Sequence, residues 1–125
     1  MIWVLAQVAL GGALGSVARY GVQLASLRLA GTGFPLGTLV LNVLGCFAMG
    51  LLFVWLTERG LMRYAPLLIT GILGGFTTFS AFSLDALLLW ERGQAGWAAG
   101  YVAASVLLSL GAVAAGVGVM RGAPG

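Results

Sequence analysis

Residues 64–90 read YAPLLITGILGGFTTFSAFSLDALLLW, and this stretch decides the kind of fold that the chain can adopt. It is long enough to cross a membrane as a helix, and Asp85 is its single charged residue. Its centre, residues 71–83, combines two adjacent glycines with two threonines and three phenylalanines, a combination that makes a poor continuous helix. We therefore predict a transmembrane helix that is broken near the middle of the membrane.

The rest of the chain is equally apolar. Of its 125 residues, 61% are hydrophobic and 7% are charged, whereas soluble domains carry about 25% charged residues. A helix of about 21 residues spans about 31 Å, the thickness of a hydrocarbon core. We predict an all-α membrane protein in which residues 1–125 form a single domain with four transmembrane spans. The four predicted spans are Ile2–Leu27, Leu36–Leu56, Tyr64–Trp90 and Gly96–Met120.

The arginines give almost no bias for one orientation in the membrane. Four spans place the amino terminus, the second loop and the carboxyl terminus on one side, so three arginines lie on that side and three on or near the other. Such a chain can insert both ways, which predicts a dual-topology, antiparallel homodimer. A weak bias that the insertion machinery still reads is the alternative. Two pairs of small residues offer close-contact faces for that dimer: Gly11 with Gly15, and Gly111 with Ala115.

Several functional classes are excluded by composition. The chain has no histidine and a single cysteine, Cys46, so one chain cannot build a disulfide framework, a zinc site or a Cys–His nucleophile. We predict that the protein is not an enzyme. Cys46 lies in an apolar run and is interpreted as a small packing residue.

Polar residues inside apolar helices are costly and usually functional. In the second span, Thr38 and Asn42 are four residues apart and share a helical face. In the fourth span, Tyr101, Ser105 and Ser109 repeat at the same spacing and form one polar stripe. The stripe suggests a hydrated pathway. The alternatives are that Asn42 joins helices and that each hydroxyl bonds its own helix backbone.

A break in the third span would leave backbone groups without helical partners, which a membrane tolerates only where they face protein, water or an ion. The carbonyls at the end of the first half-helix carry partial negative charge and suit a small cation. Beyond the break, Phe79 and Phe82 share a face, and the electropositive edges of their rings can contact an anion. A packing kink and ordinary apolar packing are the alternatives.

Two charged residues lie near the ends of spans. Asp85 is about one turn from the end of the third span, and Arg19 has a similar place in the first. Both side chains can simply extend to the interface. Functionally, Asp85 would face a vestibule, and Arg19 would attract anions to a pore mouth.

Three motifs together resemble the Fluc (CrcB) family of fluoride channels. They are GGALGSVARY at 11–20, GTLVLNVLG at 37–45 and GGFTTFSAFS at 74–83. Each piece alone is weak, but the three occur in order, at these spacings, in a four-span chain of this length. The resemblance implies a passive, fluoride-selective channel in a prokaryotic plasma or inner membrane, built as an antiparallel homodimer with two pores, which lowers cytoplasmic fluoride.

The resemblance also implies roles for particular residues. A central structural sodium ion would be held by the backbone carbonyls of Gly74 and Thr77 of both subunits, and Arg19 would lie in the vestibule. The polar track departs from the family at Ala81, where many members have threonine. The residues that the resemblance places along the fluoride pore are Phe79, Phe82, Asn42, Ser80, Tyr101, Ser105 and Ser109.

Two other functions remain open from the sequence. A small dual-topology exporter of cationic drugs is also short and has four spans, but it needs a membrane-embedded carboxylate, and Asp85 lies near a membrane end. A helper protein that only binds a partner in the membrane would require neither the polar stripe nor the broken helix.

Overall fold

The computed structural model describes residues 1–122, and four helical segments follow one another along this part of the chain. Helix α1 covers Ile2–Ala30 and α2 covers Leu36–Arg59, and two further segments cover Met62–Glu91 and Ala95–Gly122. All four are long and apolar enough to cross a membrane, and residues 1–122 contain no strand. The predicted all-helical, four-span architecture is therefore confirmed, with each helix extending a few residues beyond the predicted apolar stretch.

The third segment is composite. A short 3-10 turn at Met62–Tyr64 is followed by a π-helix at Pro66–Leu73 and by α3 at Gly74–Phe76. Helix α4 then runs over Phe79–Glu91, and the last segment, Ala95–Gly122, is α5. Pro66 suits the first position of a helix because its missing N–H would have no partner there. The π-helix has no signature in the sequence that we recognised.

Between α3 and α4, two residues leave the helical conformation. Thr77 has φ −84° and ψ 156°, and Thr78 has φ −149° and ψ 123°, so both are extended. The hydroxyl of Thr77 donates to the carbonyl of Leu73 at 2.9 Å, and the hydroxyl of Thr78 accepts the amide of Ala81 at 3.1 Å. One threonine therefore closes the preceding helix while the other caps the next. The paired glycines, Gly74 and Gly75, stay helical.

Glycines allow α1 and the third segment to touch along their backbones. A Cβ on Gly15 would collide with the carbonyl of Ile72, and a Cβ on Gly75 would lie 2.8 Å from the carbonyl of Gly12. Gly11 is buried in the same interface, against Leu67. We expected the first-span glycines at a dimer interface, but the structure uses them inside the chain, because only glycine lets these two backbones approach so closely.

A second close contact joins α2 to α5, where Gly50 and Gly116 face each other. Helix α4 also packs on α5, and the buried cluster between them consists of Phe82, Leu89, Ala98 and Tyr101. Outside these contacts the helices are largely uncovered. In each span, at most 28% of an 18-residue apolar stretch is buried within the chain. Such a surface fits a lipid environment and further protein contacts.

Candidate functional site

One cavity brings together most of the predicted pore residues. It has a volume of about 340 Å³ and lies between α2, the Thr77–Thr78 break, the start of α4 and the middle of α5. We call it the α2–α5 cavity. Its wall includes five residues selected from the sequence and one interpreted only as packing: Asn42, Phe79, Phe82, Ser105 and Ser109, with Cys46.

A second cavity lies on the other side of the break. It measures about 550 Å³ and is lined by Arg19 of α1, by Gly74 and Thr77, and by Ser80 of α4. We call it the α1–α3 cavity. Thr77, Thr78 and Phe79 line both cavities, so the extended residues and the first ring of α4 form the wall between them.

Asn42 stabilises the break directly. Its Nδ2 donates to the carbonyl of Thr78 at 3.0 Å, and its Oδ1 accepts the amide of Thr78 at 2.8 Å. An asparagine side chain carries two amide protons, and the bond to the Thr78 carbonyl uses one of them. The sequence identified Asn42 as a pore residue or as a link between helices, and the geometry shows it in the second role.

The helix that ends before the break presents backbone carbonyl oxygens at its end, and these are the groups that we expected to bind a small cation. Because Thr78 donates its amide to Asn42, the carbonyl of Gly74 loses the donor it would have in a continuous helix. The neighbouring carbonyl of Gly75 accepts Nε of Arg19 at 3.0 Å. A cationic side chain at this helix end fits the expected negative potential. Backbone carbonyl oxygens such as that of Gly74 carry no net charge, and uncharged oxygen ligands suit a monovalent cation.

Residues 1–122 contain no group of three or more His, Cys, Asp or Glu side chains that could hold a metal ion. That search concerns side chains, so it does not bear on a cation bound by backbone carbonyls.

Three aromatic rings extend from the break to α5. Phe79 and Phe82 have centroids 5.4 Å apart, and Phe82 lies 5.3 Å from Tyr101. Phe82 is 8% exposed, whereas Phe79 is 78% exposed. Phe82 is thus held by its neighbours, while the ring of Phe79 projects from the surface of a single chain.

At the far end of this aromatic row lies a polar cluster around Asp85, whose members the sequence did not predict to come together. Oδ2 of Asp85 accepts the hydroxyl of Thr38 at 2.8 Å and the hydroxyl of Tyr101 at 3.2 Å. Nε2 of Gln23 donates to the Thr38 hydroxyl at 3.4 Å. A signal was available, because Phe79, Phe82 and Asp85 are three residues apart and therefore follow one side of α4. A small cavity of about 190 Å³ borders the cluster.

The serines divide between the two cavities. Ser105 is 5% exposed, and its Oγ is buried and makes no hydrogen bond of good geometry within residues 1–122. It lines the α2–α5 cavity with Ser109, one turn along the same helix. Ser80 instead lies in the α1–α3 cavity, where its hydroxyl is 3.1 Å from that of Thr78. Within one chain, Ser80 is therefore not brought together with the serines of α5.

Comparison with known proteins identifies close relatives. Residues 6–117 match the family model described as CrcB-like protein, Camphor Resistance (CrcB). The chain is 63% identical over 116 residues to a protein of Paracoccus denitrificans, with 93% of each chain covered. It is 61% identical over 122 residues to one of Cereibacter sphaeroides, with 98% of each covered. A relative from Agrobacterium fabrum is 50% identical over 119 residues, with 94% of this chain and 95% of that one covered. All three relatives carry the name fluoride-specific ion channel FluC.

Proposed function

The chain belongs to the CrcB family, and from that premise we propose that it is a passive, fluoride-selective channel that exports fluoride across a prokaryotic plasma or inner membrane. The observation that carries the proposal is the α2–α5 cavity, whose wall brings Ser105 and Ser109 together with Asn42 and the rings of Phe79 and Phe82. Hydroxyl and amide groups can donate hydrogen bonds to a small anion or to its water.

The cavity offers what a strongly hydrated anion needs. Fluoride leaves water only where other donors replace its hydration shell. The second amide proton of Asn42 and the hydroxyls of Ser105 and Ser109 are such donors, on two facing helices. The ring edges of Phe79 and Phe82 add weak electropositive contacts. No chemical step is involved, and the names of the relatives describe a channel rather than an enzyme.

The third segment supports an antiparallel dimer whose break lies near the middle of the membrane. Along its uncovered side lie Gly74, Ser80 and Ser83 together with the exposed ring of Phe79. Backbone and hydroxyl groups of this kind are poorly suited to lipid, and a second copy of the chain would cover them. The near-equal division of arginines between the two ends supports insertion in both orientations.

A structural sodium ion is part of this proposal. The carbonyls of Gly74 and Thr77, contributed by both subunits, would hold it, and the ion would supply positive charge to oxygens that lipid leaves unpaired. Dimer stability should then fall when sodium is replaced by the bulky cation N-methylglucamine, and it should recover when sodium is returned. A dimer whose melting temperature is the same in the two salts would argue against the ion.

The function is tested by reconstituting the purified protein in liposomes loaded with fluoride and chloride. A fluoride electrode and a chloride electrode then follow release after a valinomycin-induced potassium leak. The proposal expects rapid fluoride release with chloride retained. Release of both anions, or of neither, would contradict it, and resistance of cells to a cationic dye without fluoride release would favour the exporter.

A further inference from the structure

We propose that a groove between the carboxyl-terminal halves of α2 and α5 binds one anionic phospholipid, with an acyl chain in the groove and the phosphate at Arg59 and Arg121. We call this feature the terminal groove. The proposal requires only that the helices cross a membrane, so it goes beyond the proposed fluoride conduction and does not depend on it.

The shape of the terminal groove suits an acyl chain. It has a volume of about 360 Å³ and begins beside the close contact between Gly50 and Gly116, on the way to the ends of both helices. Its walls are apolar and half-buried within a single chain, so they form a recess rather than an ordinary helix surface. The residues that line it are Ala48, Leu51, Leu52, Trp55 and Met120.

The terminal groove also has the depth of one membrane leaflet. Ala48, Leu52 and Trp55 follow one side of α2, and Arg59 continues that side one turn later. The distance from Ala48 to Arg59 along the helix axis is about 16 Å, and a hydrocarbon core is about 30 Å thick. A lipid whose headgroup lies level with Arg59 therefore extends its chain along the groove toward the middle of the membrane.

Charge determines which lipid fits this end of the helices. Three of the six arginines lie there, Arg59, Arg63 and Arg121, and Glu58 is the one acidic residue of the sequence that accompanies them. Clusters of basic residues at a membrane surface attract anionic lipids. The net positive charge beside an apolar recess therefore favours an anionic phospholipid over a zwitterionic one.

Two of these arginines are attached to the walls of the groove. The guanidinium of Arg59 lies over the ring of Trp55, 5.8 Å from its centroid, and Arg121 directly follows Met120 of the opposite wall. Tryptophan is typical of the membrane–water interface, which is the level of lipid headgroups. A guanidinium carries five N–H donors and pairs well with phosphate, so it can bind a headgroup in addition to its contacts within the chain.

A second copy of the chain is the competing occupant, and charge disfavours it. In an antiparallel pair, the partner's opposite end would lie beside Arg59 and Arg121. That end carries Arg28 and Arg92 against Glu91, so positive charge would meet positive charge. The walls of the groove also come from α2 and α5 alone, whereas the polar groups that a second copy would cover lie along the third segment.

Tryptophan fluorescence tests the proposal, because bromine atoms on a lipid chain quench a neighbouring indole. The full-length chain carrying Trp3→Phe, Trp90→Phe and Trp97→Phe keeps Trp55 as its only tryptophan. It is reconstituted in mixtures of phosphatidylglycerol and phosphatidylcholine in which one or the other lipid is brominated. We expect phosphatidylglycerol to associate with Trp55 at least about fivefold more strongly, the factor that one arginine near a membrane surface supplies.

A second probe separates the groove from ordinary lipid contact. Trp3 lies near the start of α1, at the same end of the molecule, is 64% exposed and does not line the groove. In a variant that keeps only Trp3, the preference for phosphatidylglycerol should be near one. Native mass spectrometry of the wild-type protein from the same lipid mixture, which needs no substitution, should show about one retained phosphatidylglycerol per chain.

Matched charge variants test the headgroup site. In the Trp55 probe, Arg59→Gln together with Arg121→Gln should bring the preference for phosphatidylglycerol close to one. Arg28→Gln together with Arg92→Gln removes the same charge from the other end of the helices and should leave the preference unchanged. Thermal midpoints of the variants report whether each remains folded.

A further variant tests the acyl-chain site. Ala48→Leu adds bulk to the wall of the groove, so it should reduce quenching of Trp55 by both brominated lipids. Its thermal midpoint again reports whether the chain is folded.

The proposal is overturned by equal preference at Trp55 for the two lipids, by the same preference at Trp3, or by an equal loss of preference in the two pairs of arginine variants. A Trp55 that neither brominated lipid quenches, in a protein that is dimeric, would show that a second copy covers the groove. Should a variant fail to fold, the comparison of Trp55 with Trp3 and the mass measurement still decide the question.

Discussion

The side-chain amide of Asn42 pairs with both backbone groups of Thr78, donating to its carbonyl at 3.0 Å and accepting its amide proton at 2.8 Å. A residue of the second span thus replaces the two hydrogen bonds that the extended conformation of Thr78 removes from the helix. These two bonds satisfy the backbone of Thr78 on the side of the break that faces α2. They do not involve Gly74, which lies on the other side of the break.

Replacing Asn42 with alanine should therefore destabilise the chain as well as stop conduction. Both polar groups of Thr78 would lose their partner, at a cost of about 1–3 kcal/mol for each group left unsatisfied. Thermal unfolding in detergent should show a lower midpoint, and fluoride release from liposomes should be lost. Leu44→Ala, on the other side of the same helix, provides the control. An Asn42→Ala protein with wild-type midpoint and flux would show that the bonds between Asn42 and Thr78 are not needed for stability or conduction.

Sequence patterns predicted the spans and the main polar positions because these depend on local features. Charged residues end the apolar stretches, and the four-residue repeat of Ser105 and Ser109 fixes a shared helical face whatever the fold. The contacts of Asp85 depend instead on residues far away in sequence. Asp85 meets Thr38 and Tyr101 only after α2, α4 and α5 have packed. The π-helix of the third segment also packs against α1, which is far away in sequence.

Glycines in the interface between α1 and the third segment should not tolerate a methyl group. In Gly15→Ala the new Cβ would collide with the backbone of Ile72, and overpacking of this kind costs about 1–3 kcal/mol. Gly100→Ala is the matched control, because an added Cβ there meets nothing within 4 Å. Comparing thermal midpoints of the two variants tests the packing. Equal midpoints would show that the two backbones separate easily.

The Asp85 cluster should depend on its carboxylate. Asp85→Ala leaves the hydroxyls of Thr38 and Tyr101 without their shared acceptor, so we expect lower flux and a lower thermal midpoint. Tyr101→Phe removes one of the two bonds and keeps the ring that contacts Phe82. The loss of stability in Tyr101→Phe should be smaller, about 1 kcal/mol for one hydrogen bond. A larger loss in Tyr101→Phe than in Asp85→Ala would contradict this order.

Both orientations should occur in the membrane. A reporter at the carboxyl terminus should be accessible from each side in comparable amounts, because the arginines are divided almost equally between the two ends. Adding two lysines beside Arg59, in the loop after α2, should bias insertion toward one orientation and reduce the yield of functional dimers. Restoring the balance with two lysines beside Arg92 is the control. A single orientation of the unmodified chain would rule out the antiparallel dimer.

Phe79 gives the most direct test of the pore assignment. Its ring is 78% exposed in one chain, so Phe79→Ile removes the electropositive ring edge while disturbing little of the chain's own packing. Phe82→Ile is less selective, because the buried ring of Phe82 also contacts Tyr101.

A ring-edge contact contributes only about 1 kcal/mol, so a loss of flux well beyond tenfold would mean that the ring also positions the other donors. We expect fluoride release from Phe79→Ile to fall about fivefold, the rate equivalent of about 1 kcal/mol, while gel filtration still shows a dimer. Leu84→Ile, at another uncovered position of α4, is the control. If Phe79→Ile conducts like the wild type, the ring serves contact with lipid or with the second subunit, and the path must avoid it.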